Sequence, residues 1–253
     1  ATHDEEWSSR YQLIDLPSPS KEAFRTILGR DMSPKEELRV SRSVVFTSLS
    51  DLHNMLMWIE MFPLQLRVVH CDGVFGLVCH NTQAVITIST SDVGWRPAQE
   101  ATTRSPRPFG HVLCPKGETT ISVITLYLCL KEAAAALFRL DKVDFNFSTA
   151  ICDHSDALAS GLCQLGGPDT DVGMCYPHVS RLFTKPKWVK QYMNNKDYAS
   201  RAKSDVRLLH RSRSREQFEA CFALVMNQWR LDDEGKLADH FMAFYGPSTK
   251  WGT

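Results

Sequence analysis

Two aspartates each close an apolar, strand-like run of the sequence. Asp72 follows Leu66-Arg-Val-Val-His-Cys, and Asp153 follows Phe147-Ser-Thr-Ala-Ile-Cys. Strand ends that lie side by side meet at one rim of a sheet, where open α/β sheets place their sites. Carboxylate oxygens suit Mg²⁺ or Mn²⁺, and two such ions can activate a water and stabilise the leaving oxygen in phosphodiester cleavage. The pattern therefore predicts metal ligands at Asp72 and Asp153, with a turn or helix cap as the structural alternative.

A third aspartate, Asp156, follows Asp153 closely but has a structural explanation. Ser155 can cap the next helix, and a carboxylate in the first turn complements the helix dipole. Asp153 is preferred as the ligand because Thr149, Ile151 and Asp153 alternate onto one face of the strand.

Cys175-Tyr-Pro-His178 is a Cys-x-x-His pair at the end of another predicted strand. Such a pair supplies half of a tetrahedral Zn²⁺ site, but the sequence has no second well-spaced pair, so Zn²⁺ is disfavoured. A nucleophilic cysteine with a histidine base is an alternative that no other residue supports. The preferred interpretation is a cysteine packed in the sheet and a histidine that hydrogen-bonds near the site.

Positive charge is concentrated between residues 181 and 215. Eleven basic residues against two acidic ones leave an excess of nine, although the whole chain has 29 of each sign. Trp188, Tyr192 and Tyr198 are interleaved, which favours phosphate neutralisation combined with base stacking. A solvated helical face is the competing interpretation. The predicted DNA-binding residues are Lys185, Lys187, Lys190, Arg201, Lys203, Arg207, Arg211, Arg213 and Arg215.

Composition predicts a globular intracellular protein. The 253 residues are 43% hydrophobic and 23% charged, and eight cysteines are spread singly among apolar residues. That spacing is unlike a disulfide scaffold and indicates mostly reduced, buried thiols. We find no run approaching about 20 apolar residues, and the acidic start Ala1-Thr-His-Asp-Glu-Glu is unlike a signal peptide. We therefore expect no membrane partner.

The order of elements predicts an α/β (α+β) fold in three regions. Residues 1–65 form a helical N-terminal region, with Ser20 and either Ser48 or Ser50 as helix caps. Residues 66–180 contain three strands, a long helix, a strand, a short helix and a strand, with a loop at 95–108. This order predicts a mixed five-stranded sheet flanked by helices, as in an RNase H-like core. Residues 181–253 return to helical spacing.

Four segments together resemble the transposases of Mutator-like elements (MULE). Val69-His-Cys-Asp72-Gly-Val-Phe resembles the first catalytic strand, although Val74 replaces the usual threonine, and Glu118-Thr-Thr resembles the start of the long helix. Ile151-Cys-Asp153-His-Ser-Asp-Ala-Leu resembles the second catalytic strand. The segment from Gly167 through Cys175 and His178 to Phe183 resembles the family's Cys-x-x-His region. The order and spacing of the four segments carry the resemblance.

This resemblance implies an RNase H-like (DDE) core that cuts and joins DNA at element ends, with Asp72 and Asp153 holding Mg²⁺ or Mn²⁺. It also implies a nuclear location and leaves a homo-oligomer open. The family's third catalytic glutamate follows a helical insertion, in a Thr-x-Asn-x-x-Glu-Ser-like segment, and no such segment occurs before Thr253.

The resemblance therefore predicts that this chain binds DNA without cutting it. A domesticated transposase or a transposase-derived effector, binding nucleic acid or protein, is the alternative. A generic RNase H-like nuclease would need Glu118 or Glu132 as the third ligand, and both are predicted to lie on the wrong helix.

Overall fold

A computed structural model describes residues 16, 18–75, 83–96, 101–153, 155–167, 169–212 and 214–246, with side chains placed outside 92–96 and 101–105. The chain divides into two compact units, residues 1–171 and 172–253. Each unit is described by itself.

Hydroxyl caps start the first helices. Helix α1 spans Lys21–Leu28, and its cap Ser20 accepts the Ala23 N–H, as predicted. Helix α2 spans Pro34–Arg42 behind a capping box of Ser33 and Glu36. Strand β1 spans Val44–Phe46, and helix α3 spans Leu49–Met61. Of the two predicted caps for α3, Ser48 is the one used, because its side chain accepts the Asp51 N–H.

The strands form one mixed six-stranded sheet, and five of them belong to the first unit. The remaining strands are β2 (Val68–Phe75), β3 (Ala84–Arg96), β4 (Ala101–Cys114), β5 (Thr149–Cys152) and β6 (Asp171–Met174). The strand order is β1-β4-β3-β2-β5-β6. The pairs β1–β4, β3–β4 and β2–β3 are antiparallel, and the pair β2–β5 is parallel. The predicted mixed sheet is confirmed, with one more strand than expected.

Two sequence predictions about this sheet are wrong. The N-terminal region is not only helical, because β1 pairs with β4 through Val44↔Leu113 to Phe46↔His111. The segment 95–108 is not a loop, because most of it continues the ladder of β3 and β4 as far as Arg96↔Ala101. Cross-strand pairing here outweighs a local composition of threonine, arginine and proline that is typical of loops.

The long helix α4, Thr120–Phe138, packs against the sheet and the shorter helix α5, Asp156–Gly166. Twelve of its residues are buried, among them the polar Ser122 and Thr125. Contrary to the sequence analysis, this 19-residue helix has the length and composition of a membrane span. Two thirds of its apolar window is buried within the protein, which packing of a core helix explains.

The second unit is helical, as the spacing of apolar residues predicts. Its helices are α6 (Tyr176–Leu182), α7 (Pro186–Tyr192), α8 (Ala199–Leu209), α9 (Arg215–Leu231) and α10 (Gly235–Tyr245). Trp229 and Phe241 are buried at the contact of α9 with α10, with ring centroids 5.0 Å apart. These two rings centre a core of the unit's own.

A buried arginine, Arg67, holds the start of β2 and is only 8% exposed. Its guanidinium donates to the carbonyls of Phe62 and Ile59, both at 2.8 Å, and to that of Asp144 at 3.1 Å. Its own carbonyl accepts the N–H groups of Ser148 and Thr149 just before β5. Arg67 therefore ties α3, β2 and the lead into β5 together.

Replacing Arg67 with methionine should cost about 3 kcal/mol of unfolding free energy, because the buried carbonyls lose their donor. Urea unfolding measures this loss. Arg42→Met, at an exposed position on α2, is the matched control. A loss below about 1 kcal/mol, as typical of exposed ion pairs, would contradict the role given to Arg67.

Candidate active site

The structure brings Asp72 and Asp153 together at one rim of the sheet. β2 and β5 are parallel neighbours in the register Val68↔Thr149 to Cys71↔Cys152. The residue that follows the last pair is an aspartate on both sides, so Asp72 and Asp153 lie opposite each other. One carboxylate oxygen of Asp72 and one of Asp153 lie within 4.8 Å of each other. Asp72 is exposed and Asp153 is half-buried, so the pair is open to solvent on one side.

A third carboxylate, that of Glu118, lies against the same rim. Gly73 makes its approach feasible, because a Cβ atom at this position would overlap Glu118 Oε1. On the other side, the Ser155 hydroxyl donates to Glu118 Oε2 at 2.7 Å. Gly73 adjoins Asp72 and Ser155 follows Asp153 by two residues, so Glu118 lies beside both aspartates.

The electrostatics agree with this placement. Burial raises the pKa of Glu118, the Ser155 hydrogen bond opposes the rise, and the charges of Asp153 and Asp72 raise the pKa further. Within the described chain, Glu118 Oε1 is buried and accepts no hydrogen bond. A half-buried carboxylate with an unused oxygen beside two other acids is electrostatically suited to a cation.

The expectation that Glu118 lies on the wrong helix is therefore a wrong prediction. Helix α4 begins at Thr120 with Thr119 as its cap, so Glu118 belongs to the turn before the helix. Glu132 does lie within α4, where a backbone hydrogen bond from Ser20 acts on its carboxylate. The only sequence signals for Glu118 were the glycine after Asp72 and the start of the long helix.

The neighbouring predictions for α5 are confirmed. Ser155 caps the helix by accepting the Leu158 N–H, and Asp156 lies exposed in the first turn. Asp156 therefore has the structural role expected of it. His154 lies outside the described residues.

Buried thiols immediately precede the two aspartates along the chain. Cys71 and Cys152 are paired across β2 and β5, and both are buried. Burial raises the pKa of Cys71, with Cys152 and the three carboxylates adding to the effect. Such a thiol is a poor nucleophile at neutral pH. The described cysteines are free, and four of the seven are buried.

In the second unit, the Cys175/His178 pair occupies the first turn of α6. Cys175 is the N-cap of the helix, and the His178 N–H donates to the Cys175 carbonyl at 3.0 Å. Both side chains are half-buried. The prediction that Cys175 packs in the sheet is wrong, because β6 ends at Met174 and Cys175 begins the next helix. The accessory roles given to this pair stay predictions.

Most of the predicted DNA-binding residues are exposed on the second unit. Lys203 is half-buried, and Arg213 lies outside the described residues. Arg201 pairs with Asp232 at 3.1 Å and Arg215 with Glu219 at 2.9 Å, so part of the charge is compensated locally. The exposed basic residues are Lys185, Lys187, Lys190, Arg201, Arg207, Arg211 and Arg215.

Comparison with known proteins adds no identification. No model of a known protein family matches the chain, and no curated protein matches it either.

Replacing Glu118 with glutamine should raise the melting temperature in metal-free buffer at pH 7 to 8. Because the folded-state pKa of Glu118 is raised, ionisation weakens the fold as pH rises through that pKa, and the penalty is absent below the unfolded pKa. The gain should therefore shrink towards zero near the unfolded pKa of about 4.3. Thermal unfolding across pH measures it.

Glu60→Gln makes the same change of charge at an exposed position on α3 and serves as control. A stabilisation of equal size in both variants, or one that persists unchanged at acid pH, would contradict the crowding of carboxylates around Glu118.

Proposed function

We propose that this chain is the RNase H-like core of a MULE-type transposase, a nucleic-acid-binding domain that cleaves phosphodiester bonds with Mg²⁺ or Mn²⁺. One observation carries the proposal: the carboxylates of Asp72 and Asp153 lie within 4.8 Å of each other where the ladder between β2 and β5 ends, and Glu118 lies against the neighbouring Gly73 and Ser155. DNA as the substrate and the nucleus as its location follow from the resemblance alone, and the oligomeric state stays open.

The order of the strands supports the proposal. From β4 to β6 the order is β4-β3-β2-β5-β6, with an antiparallel meander followed by a strand parallel to the first. An RNase H-like core requires this arrangement, and it places the first and fourth strands of the core next to each other. The two aspartates of the resemblance directly follow the last paired residues of these two strands, Cys71 and Cys152.

The side chains fit a hard divalent cation. The site offers carboxylate oxygens, one of which is buried and accepts no hydrogen bond from the described residues. Oxygen ligands of this kind suit Mg²⁺ and Mn²⁺ and disfavour Zn²⁺, which prefers nitrogen and sulfur. When bound, such ions activate a water and neutralise the charge that develops on the phosphate.

The protein's own groups hold this site in position. Asp72 and Asp153 would hold the cation from two strands whose register is fixed by the ladder. Glu118 would supply the third acid, oriented by the Ser155 hydroxyl. In this proposal Glu118 takes the role that the resemblance gave to a later glutamate, in contrast to the expectation that the chain lacks a third acid.

We expect the purified chain to nick supercoiled DNA in Mn²⁺ or Mg²⁺. Asp153→Asn and Glu118→Gln should each reduce the rate by about 100-fold or more, because misplaced reacting groups lose the positioning on which the reaction depends. An agarose-gel assay measures the nicked form. Glu60→Gln, distant in sequence and exposed, should cut as the native chain does.

Gly73→Ala provides an independent variant of the same site. The added methyl group displaces a flexible carboxylate and no backbone atom, so we expect a folded protein whose nicking falls like that of Glu118→Gln. Nicking that survives both changes would remove Glu118 from the mechanism. No nicking by the native chain with either metal would favour the second function considered, nucleic-acid binding without cleavage.

The exposed charge of the second unit favours nucleic-acid binding in either case. Changing Lys190, Arg207 and Arg211 to glutamine should weaken duplex binding and reduce the slope of log K against log salt by up to about 3, one for each lost phosphate contact. Fluorescence anisotropy over a salt series measures both quantities.

The matched control changes Lys35, Arg42 and Lys142 to glutamine, which removes the same charge from exposed positions of the first unit. An equal loss of slope in both triple variants would mean that net charge, and not this surface, controls binding.

A further inference from the structure

A half-exposed aromatic surface lies on the second unit, formed by α7 and α10. We call Trp188, Tyr192, His240 and Phe244 the aromatic patch. The rings of Tyr192 and His240 stack with centroids 4.0 Å apart and planes at 28°, and His240 lies 4.7 Å from Phe244. Trp188 lies 5.2 Å from Tyr192. The four rings thus form one continuous aromatic surface.

The patch lies on top of a separate buried layer. Phe183, Phe241 and Tyr245 are buried, and Phe241 contacts the buried Trp229. The patch residues, in contrast, keep solvent access: Phe244 is 43% exposed, and Trp188, Tyr192 and His240 are half-buried. The buried layer forms the core of the unit, and the patch rings lie at its solvent-exposed surface.

The charges around the patch are positive. Exposed Lys187 and Lys190 lie on α7, Lys185 is the N-cap residue of that helix, and Lys236 lies one turn before His240 on the same side of α10. The nearest acid on α10, Asp239, is paired with Arg230 at 2.9 Å. A ligand that rests on the rings would therefore carry negative charge beside flat apolar groups.

We infer that the aromatic patch binds single-stranded nucleic acid, with unpaired bases stacked on its rings and phosphates against the flanking lysines. Aromatic side chains beside a basic groove are the usual means of binding single strands, whose bases offer an open face. Bases inside a duplex have no such face, so the patch should distinguish unpaired strands from paired ones. The inference rests on the proposed function for the nature of the ligand.

Phe244→Ala tests the inference on the intact chain, in buffer with EDTA so that nothing is cut. We expect its Kd for labelled oligothymidylate of about 15 nucleotides to rise about tenfold, the size of one lost base stack. Phe244→Tyr should restore binding. Met242→Ala is the matched control, because Met242 is also 43% exposed on the same helix and lies outside the patch.

Three comparisons separate stacking from a loss of folding or of charge. Phe244→Ala should leave duplex affinity and the salt slope unchanged, whereas Lys187→Gln should reduce the slope. Repeating the measurement with oligouridylate compares RNA with DNA. An equal loss of affinity for both strands in Phe244→Ala means that the patch stacks on bases without distinguishing the sugar.

The inference is overturned if the native chain does not bind single strands, if Met242→Ala weakens binding as much as Phe244→Ala, or if duplex binding falls equally. Because binding is measured without metal and cleavage with it, the two proposals fail separately. Nicking that disappears in Asp153→Asn while Phe244→Ala binds normally would support the metal site and overturn the patch.

Discussion

The register between β2 and β5 is the constraint on which the candidate site depends. A shift of one residue would turn either aspartate to the opposite face of the sheet, because side chains alternate along a strand. Arg67 secures this register at its start: its carbonyl accepts the N–H groups that lead into β5, and its guanidinium fixes the backbone on both sides. The buried Arg67 therefore helps to align β2 with β5, and this alignment sets the position of Asp72, five residues further along the chain.

The same site carries a cost for the fold. Three carboxylates share one rim, and one of them is half-buried beside the other two. In the absence of a cation this arrangement opposes folding at neutral pH, since charged forms repel each other and lose hydration. Gly73 adds to the specificity of the arrangement, because any side chain there would push Glu118 away. Residues that crowd like charges without improving packing are typical of functional sites.

The sequence predicted the local features of this site and missed those that depend on distant contacts. Asp72 and Asp153 were singled out because apolar, β-branched runs precede them; Asp153 does follow the end of β5, whereas Asp72 was wrongly predicted to end its strand, because β2 continues through Phe75 in its pairing with β3. Glu118 was rejected because it was expected to lie on the wrong helix; its proximity to Gly73 is a contact between residues 45 positions apart, which local spacing does not reveal. The ladder through Arg96 and Ala101 was missed for a similar reason: pairing with a partner strand outweighed a loop-like composition.

The second unit shows how a chain with no net charge can present a basic surface. Two of its acids form hydrogen bonds within the unit. The carboxylate of Glu234, a residue only 1% exposed, accepts the N–H groups of Asn194 and Asn195, and Asp205 accepts the indole N–H of Trp229. These hydrogen bonds join segments that are distant in sequence. Most lysines and arginines of the unit, in contrast, are exposed. The exposed positive charge of this unit is therefore a product of the fold as well as of composition, because the fold holds some of the acids in its interior while the basic side chains reach solvent.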